Sequence, residues 1–394
     1  MATTADSSAT EVSTSVPTSS TDADSTATSS ESTTEPLPGC HNELFVEDSP
    51  PFGAPEQIAQ LFSAQGVDIA DVDDDGDADV IVGDYGSNDL TTGGIYLLEG
   101  NGSGGFAAPS KLPGGGLPTV RVAAMPIADN TVDIVGYGDI LPDYEPAVRR
   151  WRGNGDGTFS SPSTYLDASN WDVALFDVNG DGRRDLLGTA TTGARVALAN
   201  ASEAFGAWTD HGEMPSDDCV KGADLDGDGD GDILTSSQDQ LQVLLGNGDG
   251  TFAPPLVYVV DGEPRDVLVG DFDGDGALDI GALLNSVLLV LPGDAAGGWG
   301  AITELTVQNS SSASATPDFN GDGCTDIAVS TGDGAVSTLL GREGFTFTTQ
   351  EVFNIHPDSY LYDIAAGDVD SDGIADVVAV TAGSGEIYLL RSGG

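Results

Sequence analysis

A nine-residue pattern, Asp-x-Asp/Asn-x-Asp-Gly-x-x-Asp, occurs six times in this 394-residue chain, and its spacing constrains the fold more than any other feature. The copies begin at Asp71, Asp177, Asp224, Asp271, Asp318 and Asp368 and end at Asp79, Asp185, Asp232, Asp279, Asp326 and Asp376. The starts at 177, 224, 271 and 318 are 47 residues apart, and the last step is 50. The first step, 106 residues, is two units long. Midway through it, Ile127-Ala128-Asp129-Asn130-Thr131-Val132-Asp133-Ile134 occupies the same place with a shortened loop and few carboxylates. Seven units are therefore present, one of them without its acidic loop. A fixed period of this length means that each unit is one supersecondary element burying its apolar faces against its neighbours.

Within a unit the apolar runs are short, β-branched and bounded by Gly, Asn and Asp, which reads as strands. One precedes the loop (Asp266-Val267-Leu268-Val269-Gly270) and one follows it (Asp79-Val80-Ile81-Val82-Gly83). A third (Gln240-Leu241-Gln242-Val243-Leu244-Leu245) leads into the turn Gly246-Asn247-Gly248-Asp249-Gly250, then Phe252 and a fourth extended run. No helical periodicity of useful length appears. Four strands in each of seven units predict an all-β fold, a seven-bladed β-propeller of four-stranded blades, over residues 40–394. The last unit stops after its third strand, at Gly385–Leu390, while an orphan fourth-strand signature, Phe52-Gly53-Ala54-Pro55, precedes the first unit. The N-terminal segment is therefore expected to complete the last blade and close the ring.

The loops carry 25 of the chain's 50 aspartates. Four or more carboxylates, or three and an amide, within nine residues repel one another unless a cation lies among them. Oxygen-only donors in a flexible loop suit Ca²⁺. Position 1 is Asp71, Asp177, Asp224, Asp271, Asp318 or Asp368, and position 3 is Asp73, Asn179, Asp226, Asp273, Asn320 or Asp370. Position 5 is Asp75, Asp181, Asp228, Asp275, Asp322 or Asp372. Position 6 is always Gly, which permits the sharp turn. Position 7 (Asp77, Arg183, Asp230, Ala277, Cys324 or Ile374) can offer its backbone carbonyl. Position 9 (Asp79, Asp185, Asp232, Asp279, Asp326 or Asp376) closes the set. The spacing follows EF-hand logic, but position 9 runs straight into a strand. About six Ca²⁺ sites are expected. A solvated acidic run would not explain the internal Gly or the common register.

These repeats resemble the FG-GAP/VCBS repeats of integrin α-subunit propellers and of many bacterial exported proteins, over about residues 52–394. The resemblance implies a seven-bladed propeller with Ca²⁺ in the loops between first and second strands, all on one face. It implies that ligands bind the opposite face. The second unit departs from the pattern and is given no metal.

Acidic groups outnumber basic ones 65 to 12, for a formal net charge of −53 that six Ca²⁺ would bring to −41. Such a surface excludes nucleic acid, which binds through basic groups. No apolar run is long enough for a spanning helix, so membrane insertion is not expected. Residues 1–39, rich in Ser, Thr and Ala, cannot offset their chain entropy by burial and read as a disordered spacer. They lack a secretory signal, so any such signal or anchor would precede Met1. Loops of this kind fill at extracellular calcium concentrations, which points to an extracellular or cell-surface location. Cys40, Cys219 and Cys324 allow at most one disulfide. The three histidines lie far apart, and no nucleophile, phosphate loop or dinucleotide motif is present. The expected function is therefore a non-catalytic binding or adhesion module for carbohydrate or a cell-surface protein. The alternative is a polysaccharide-active hydrolase or lyase built on the same propeller. Candidate contact residues on the face away from the loops are Tyr85, Tyr144, Tyr165, Trp171, His211, His356 and Tyr360. Arg121, Arg149, Arg150 and Arg152 concentrate positive charge in the metal-free second unit, where they meet an anionic group or offset nearby acids.

Overall fold

The computed structural model describes residues 52–393 apart from 88–92, 115–117, 128–130, 141–144, 167–171, 191–192, 203, 213–218, 295–296, 308–309, 343, 345 and 348–350. The expected spacer 1–39, Cys40, Tyr144 and Trp171 lie outside these residues. Among the described residues the chain forms seven four-stranded antiparallel sheets. Each is one blade, and each sequence unit supplies its strands in order from the ring axis outward. Blade 1 is Ala64–Ala70, Asp79–Asp84, Gly94–Leu98 and Ser110–Lys111. Blade 2, without the acidic loop, is Thr119–Pro126, Val132–Ile140, Glu145–Trp151 and Ser163–Leu166. Blades 3, 4, 5 and 6 repeat the plan, with innermost strands Val173–Phe176, Cys219–Ala223, Asp266–Gly270 and Ser310–Ala315. Blade 7 is Leu361–Gly367, Asp376–Thr381 and Glu386–Leu390, and its outer strand is the N-terminal segment Glu56–Gln60.

That segment pairs antiparallel with Glu386–Leu390, from Glu56 opposite Leu389 to Gln60 opposite Glu386. Phe52 bridges Ser392 as Phe159 bridges Gly153, Phe205 bridges Ala199 and Phe252 bridges Gly246. The orphan signature thus does at the ring closure what its copies do inside other blades. Phe52 is buried, with its ring edge-to-face against Phe319 and Phe353 at 5.0 and 5.2 Å.

The core lies between blades. Val80 and Val82 pack with Val378, Val380, Ile387 and Leu389 of blade 7, whereas Ile81 packs with Ile134 and Trp151 of blade 2. Both faces of a blade are covered, so its second strand is buried along its whole length, as in Asp376–Thr381. Antiparallel order puts the first-to-second and third-to-fourth connections on one face. The second-to-third connections and the passages between blades lie on the other. No helix among the described residues is long and apolar enough to cross a membrane.

Candidate functional site: acidic loops on one face, aromatic turns on the other

The six acidic loops share one backbone course. Position 6 glycine has a left-handed φ in every loop, from 78° at Gly182 to 93° at Gly229. Position 4 is left-handed as well. It is Gly180, Gly227, Gly274 and Gly321 in four loops, but Asp74 and Ser371, each at φ 61°, in the other two. The turn aims backbone N–H groups at the carboxylates. The position 1 carboxylate accepts from position 6, as in Gly76 to Asp71 (2.9 Å) and Gly323 to Asp318 (2.8 Å). The position 5 carboxylate accepts from position 7, as in Ala277 to Asp275 (2.8 Å).

Position 9 plays a second part. Each of its oxygens accepts one backbone N–H, one from position 2 and one from the second residue after the third strand. In blade 5, Phe272 donates to Oδ2 and Gly293 to Oδ1 of Asp279, both at 2.7 Å. Asp79, Asp185, Asp232, Asp326 and Asp376 repeat this. All six are buried. Burial pushes their carboxyls up, to about 6 for Asp185 and Asp376, about 7 for Asp79, Asp232 and Asp279, and about 8 for Asp326. Two backbone donors work against the rise, and the neighbouring loop carboxylates add to it.

In four loops the carboxylates of positions 1, 3 and 9 each bring an oxygen within 4.8 Å of the others. These triads are Asp71–Asp73–Asp79, Asp224–Asp226–Asp232, Asp271–Asp273–Asp279 and Asp368–Asp370–Asp376. The loops of blades 3 and 6 have Asn179 and Asn320 at position 3 and so lack the third carboxylate. In blade 3, Arg183 Nη2 also lies 2.6 Å from Asp181 Oδ2, so an internal cation offsets part of that loop's charge. The residues suit a hard cation. Asp73 Oδ1, Asp224 Oδ1 and Asp370 Oδ1 within three triads, and Asp322 Oδ2 in the loop of blade 6, are buried oxygens without a hydrogen-bond partner. A desolvated carboxylate oxygen is costly unless a positive charge faces it. Burial, then the repulsion of Asp75 and Asp71, holds the Asp73 carboxyl above its usual range. Asp370 is raised likewise by burial, Asp372 and Asp368.

Blade 2 solves the same problem without a loop. Asp133 is buried at the position 9 place and accepts from Gly153 N–H at 2.9 Å. Its other oxygen takes the Nε and Nη2 of buried Arg150, both at 2.5 Å. The arginines expected to meet an anion or offset acids divide between internal partners. Arg150 serves Asp133, Arg149 donates to the Gly114 carbonyl, Arg152 to the Ser202 carbonyl, and Arg121 enters the central channel.

That channel, a cavity of about 610 Å³, is walled by the innermost strands. Arg121 lies 3.6 Å from both Asp172 and Asp363. Asp172, Asp266 and Asp363 each accept an N–H from the next blade's inner strand, at Val220, Ser314 and Val67. Sequence reasoning missed these inter-blade ties. A signal existed, because all three stand five residues before position 1 of their loops.

On the opposite face the described candidates separate by environment. Tyr165 packs edge-to-face on Phe205, and His211 on Phe252, within inter-blade contacts. Tyr85 is half-buried, with its amide donating to Ser63 O at 2.9 Å. His356 lies 3.3 Å from Glu386, and Tyr360 is exposed at 47%. These two share the passage into blade 7. Sequence reasoning missed Phe62, 56% exposed in the neighbouring passage into blade 1, and Glu386, which pairs opposite Gln60 and lies beside His356. Cys324 is in a disulfide, and Cys219 is buried and free.

Comparison with known proteins agrees with this architecture. Residues 224–282 and 318–379 match the family model described as FG-GAP-like repeat. No curated protein sequence matches the chain. Among solved structures, an Agrocybe aegerita lectin, described as recognising non-reducing terminal N-acetylglucosamine, aligns with TM-score 0.57 at 20% identity, covering 84% of this chain and 90% of the lectin. BBS1N, solved in complex with ARL6DN after soaking with lead, aligns with TM-score 0.58 at 12% identity, covering 86% of this chain and 96% of that one. At these identities the likeness is one of fold.

Proposed function

We propose that this chain, a seven-bladed propeller built of FG-GAP-like repeats, is a calcium-stabilised extracellular binding module for carbohydrate. The observation that carries the reading is the division between faces. Desolvated carboxylate triads recur at one repeat position on one face, and exposed aromatic side chains stand on the connections of the other. Hard cations bind oxygen clusters, and Ca²⁺ accepts the irregular, partly carbonyl coordination these loops offer. Side chains of positions 1, 3, 5 and 9 and the position 7 carbonyl would hold it in all six loops, with Asn179 and Asn320 supplying amide oxygens. The ion would neutralise the loops and so add its binding free energy to folding. Millimolar extracellular calcium suits such sites, which favours an exported protein. A lectin is among the proteins of similar fold, so such a ring is compatible with a sugar ligand, and the exposed aromatic side chains are what favours carbohydrate.

The test is a glycan array probed with the full chain in 2 mM Ca²⁺ and in excess EDTA, with calorimetry and a reducing-end assay on any retained sugar (the Ca²⁺ level is on the order of extracellular concentrations). Retention without turnover, together with a melting temperature that rises with Ca²⁺, is the expected result. Release of new reducing ends would establish the enzyme instead. An unchanged transition in EDTA would remove calcium from the account.

A further inference from the structure

Six large hydrophobic side chains are exposed among the described residues, and only two of them are aromatic: Phe62 and Tyr360. They come from opposite ends of the chain, yet they flank one turn, the connection between Asp376–Thr381 and Glu386–Leu390 in blade 7. Leu61 N–H donates to Gly385 O at 2.7 Å, fixing the Phe62 passage to one side of the turn. Ala382 N–H donates to Tyr360 O at 2.8 Å, fixing the Tyr360 passage to the other.

Both aromatics are held while exposed. Buried Asp84 accepts the N–H groups of Phe62 (3.2 Å) and Ser63 (2.7 Å), clamping that loop. Tyr360 stands edge-to-face with Tyr362, ring centroids 5.2 Å apart. Between the passages the turn is Ala382-Gly383-Ser384-Gly385, and a side chain at Gly383 would meet only open space. Polar groups sit at its far end. Glu386 Oε2 accepts from Ser384 Oγ at 2.9 Å and lies 3.3 Å from His356 Nε2, while the buried His356 Nδ1 has no hydrogen-bond partner.

Exposed, immobilised aromatic rings beside a few convergent polar groups form the chemistry that holds a sugar ring. Aromatic faces cover its C–H surface, and a carboxylate, an imidazole and a hydroxyl serve its hydroxyl groups. A net charge of −53 and the nearby Glu386 oppose any uronate, sulfated or sialylated unit. We infer that the saddle formed by Phe62, Ala382–Gly385 and Tyr360, with Glu386 and His356 as its polar end, is a subsite for one neutral pyranose unit. This rests on the reading of the propeller as a carbohydrate-binding module.

The experiment uses the full chain in Ca²⁺ on an array of neutral and acidic glycans, followed by calorimetry with the best neutral glycan. The variants are Phe62→Ala, Tyr360→Ala and Glu386→Gln, with Val259→Ser, an exposed apolar residue at the outer edge of blade 4, as control. Each of the three is expected to weaken binding about tenfold or more, as loss of a ligand anchor does. Val259→Ser is expected to bind like the parent, and all four should melt like the parent because the altered side chains are exposed or half-exposed. If the parent binds neutral glycans and the three variants bind equally well, the subsite is overturned while the binding-module reading stands. A parent that retains only acidic glycans overturns the subsite in the same way. A parent that retains no glycan overturns both.

Discussion

Replacing Arg150 by Met tests how the one blade without an acidic loop keeps its buried carboxylate. Arg150 and Asp133 are each 2% exposed, and the guanidinium is the charge facing Asp133 Oδ2 at hydrogen-bond distance. Burial already raises the Asp133 carboxyl despite this partner. Removing one member of a buried ion pair costs about 3–5 kcal/mol, because the other charge is left desolvated. Arg150 also lies over the Phe205 ring at 5.4 Å, a contact to blade 3 that adds roughly 1 kcal/mol. Arg150→Met is thus expected to destabilise by about 4–6 kcal/mol. The double variant Arg150→Met/Asp133→Asn should recover about half of that, since a neutral amide oxygen still accepts from Gly153. Urea denaturation in saturating Ca²⁺ measures both. The indole of buried Trp151, bonded to Pro113 O at 2.8 Å, is a local reporter. Because no acidic loop feeds Asp133, the penalty should be the same in EDTA. A single-variant cost below about 1 kcal/mol, or one that appears only without calcium, would refute the assignment of Arg150 as the built-in counter-ion.

Ring closure should depend on Phe52, so Phe52→Ala is expected to cost about 3–5 kcal/mol by denaturation, as loss of a buried aromatic side chain does; a cost near zero would mean that the N-terminal strand does not close the ring. Ser371 holds a left-handed backbone that glycine adopts in four other loops, so Ser371→Gly should stabilise by up to about 1 kcal/mol in the same assay, and a loss of stability would count against that geometry. Burial, then repulsion by Asp266, lifts the Asp363 carboxyl to about 6 against the pull of Arg121. A raised carboxyl favours folding most below its unfolded value near 4, and the benefit is lost as pH rises through 6. The parent should therefore lose at most about 3 kcal/mol more than Asp363→Asn between pH 4 and pH 7.5 in saturating Ca²⁺, and identical pH slopes would sink the point.

The ring and its closure were legible because they are written as period and register. A 47-residue repeat fixes the blade, and Phe52 announces an unpaired outer strand before the first unit. The acidic loops were legible because each position is defined by its place in one turn. What the sequence concealed lies across units. Asp172, Asp266 and Asp363 share a repeat position, but only the fold brings the next blade's N–H groups to them. Phe62 and Tyr360 are about 300 residues apart and become neighbours only because the ring joins the chain's two ends. Tyr165 and His211 read like Tyr360 in sequence, yet an adjacent Phe of the next blade covers each ring. Exposure of an aromatic side chain is decided by what the following unit places over it.

Position 9 explains how one unit could lose its loop while the blade survived. Its carboxylate accepts the N–H of the second residue after the third strand in all seven blades, Asp133 included. Without it that donor would be left unpaired inside the blade, at a cost of about 1–3 kcal/mol. The acid at position 9 therefore ties the strands of the blade together, whereas the carboxylates of positions 1 and 5 accept N–H groups only from within the acidic loop itself. A buried acid needs a counter-charge, and burial marks that need by pushing the Asp326 carboxyl up to about 8 and that of Asp79 to about 7. Blade 2 meets the need with Arg150 from its own third strand, and the other blades meet it through their loops. Blade 2, the unit without an acidic loop, is also the one in which an arginine reaches position 9. Supplying an arginine at the matching third-strand place in blade 5, Val290 beside Gly281 as Arg150 is beside Val135, should make that blade tolerate loss of Asp271 and Asp273. Urea denaturation of the Asp271→Asn/Asp273→Asn variant with and without Val290→Arg measures this, and no rescue would show that the arginine works only where Phe205-like packing supports it.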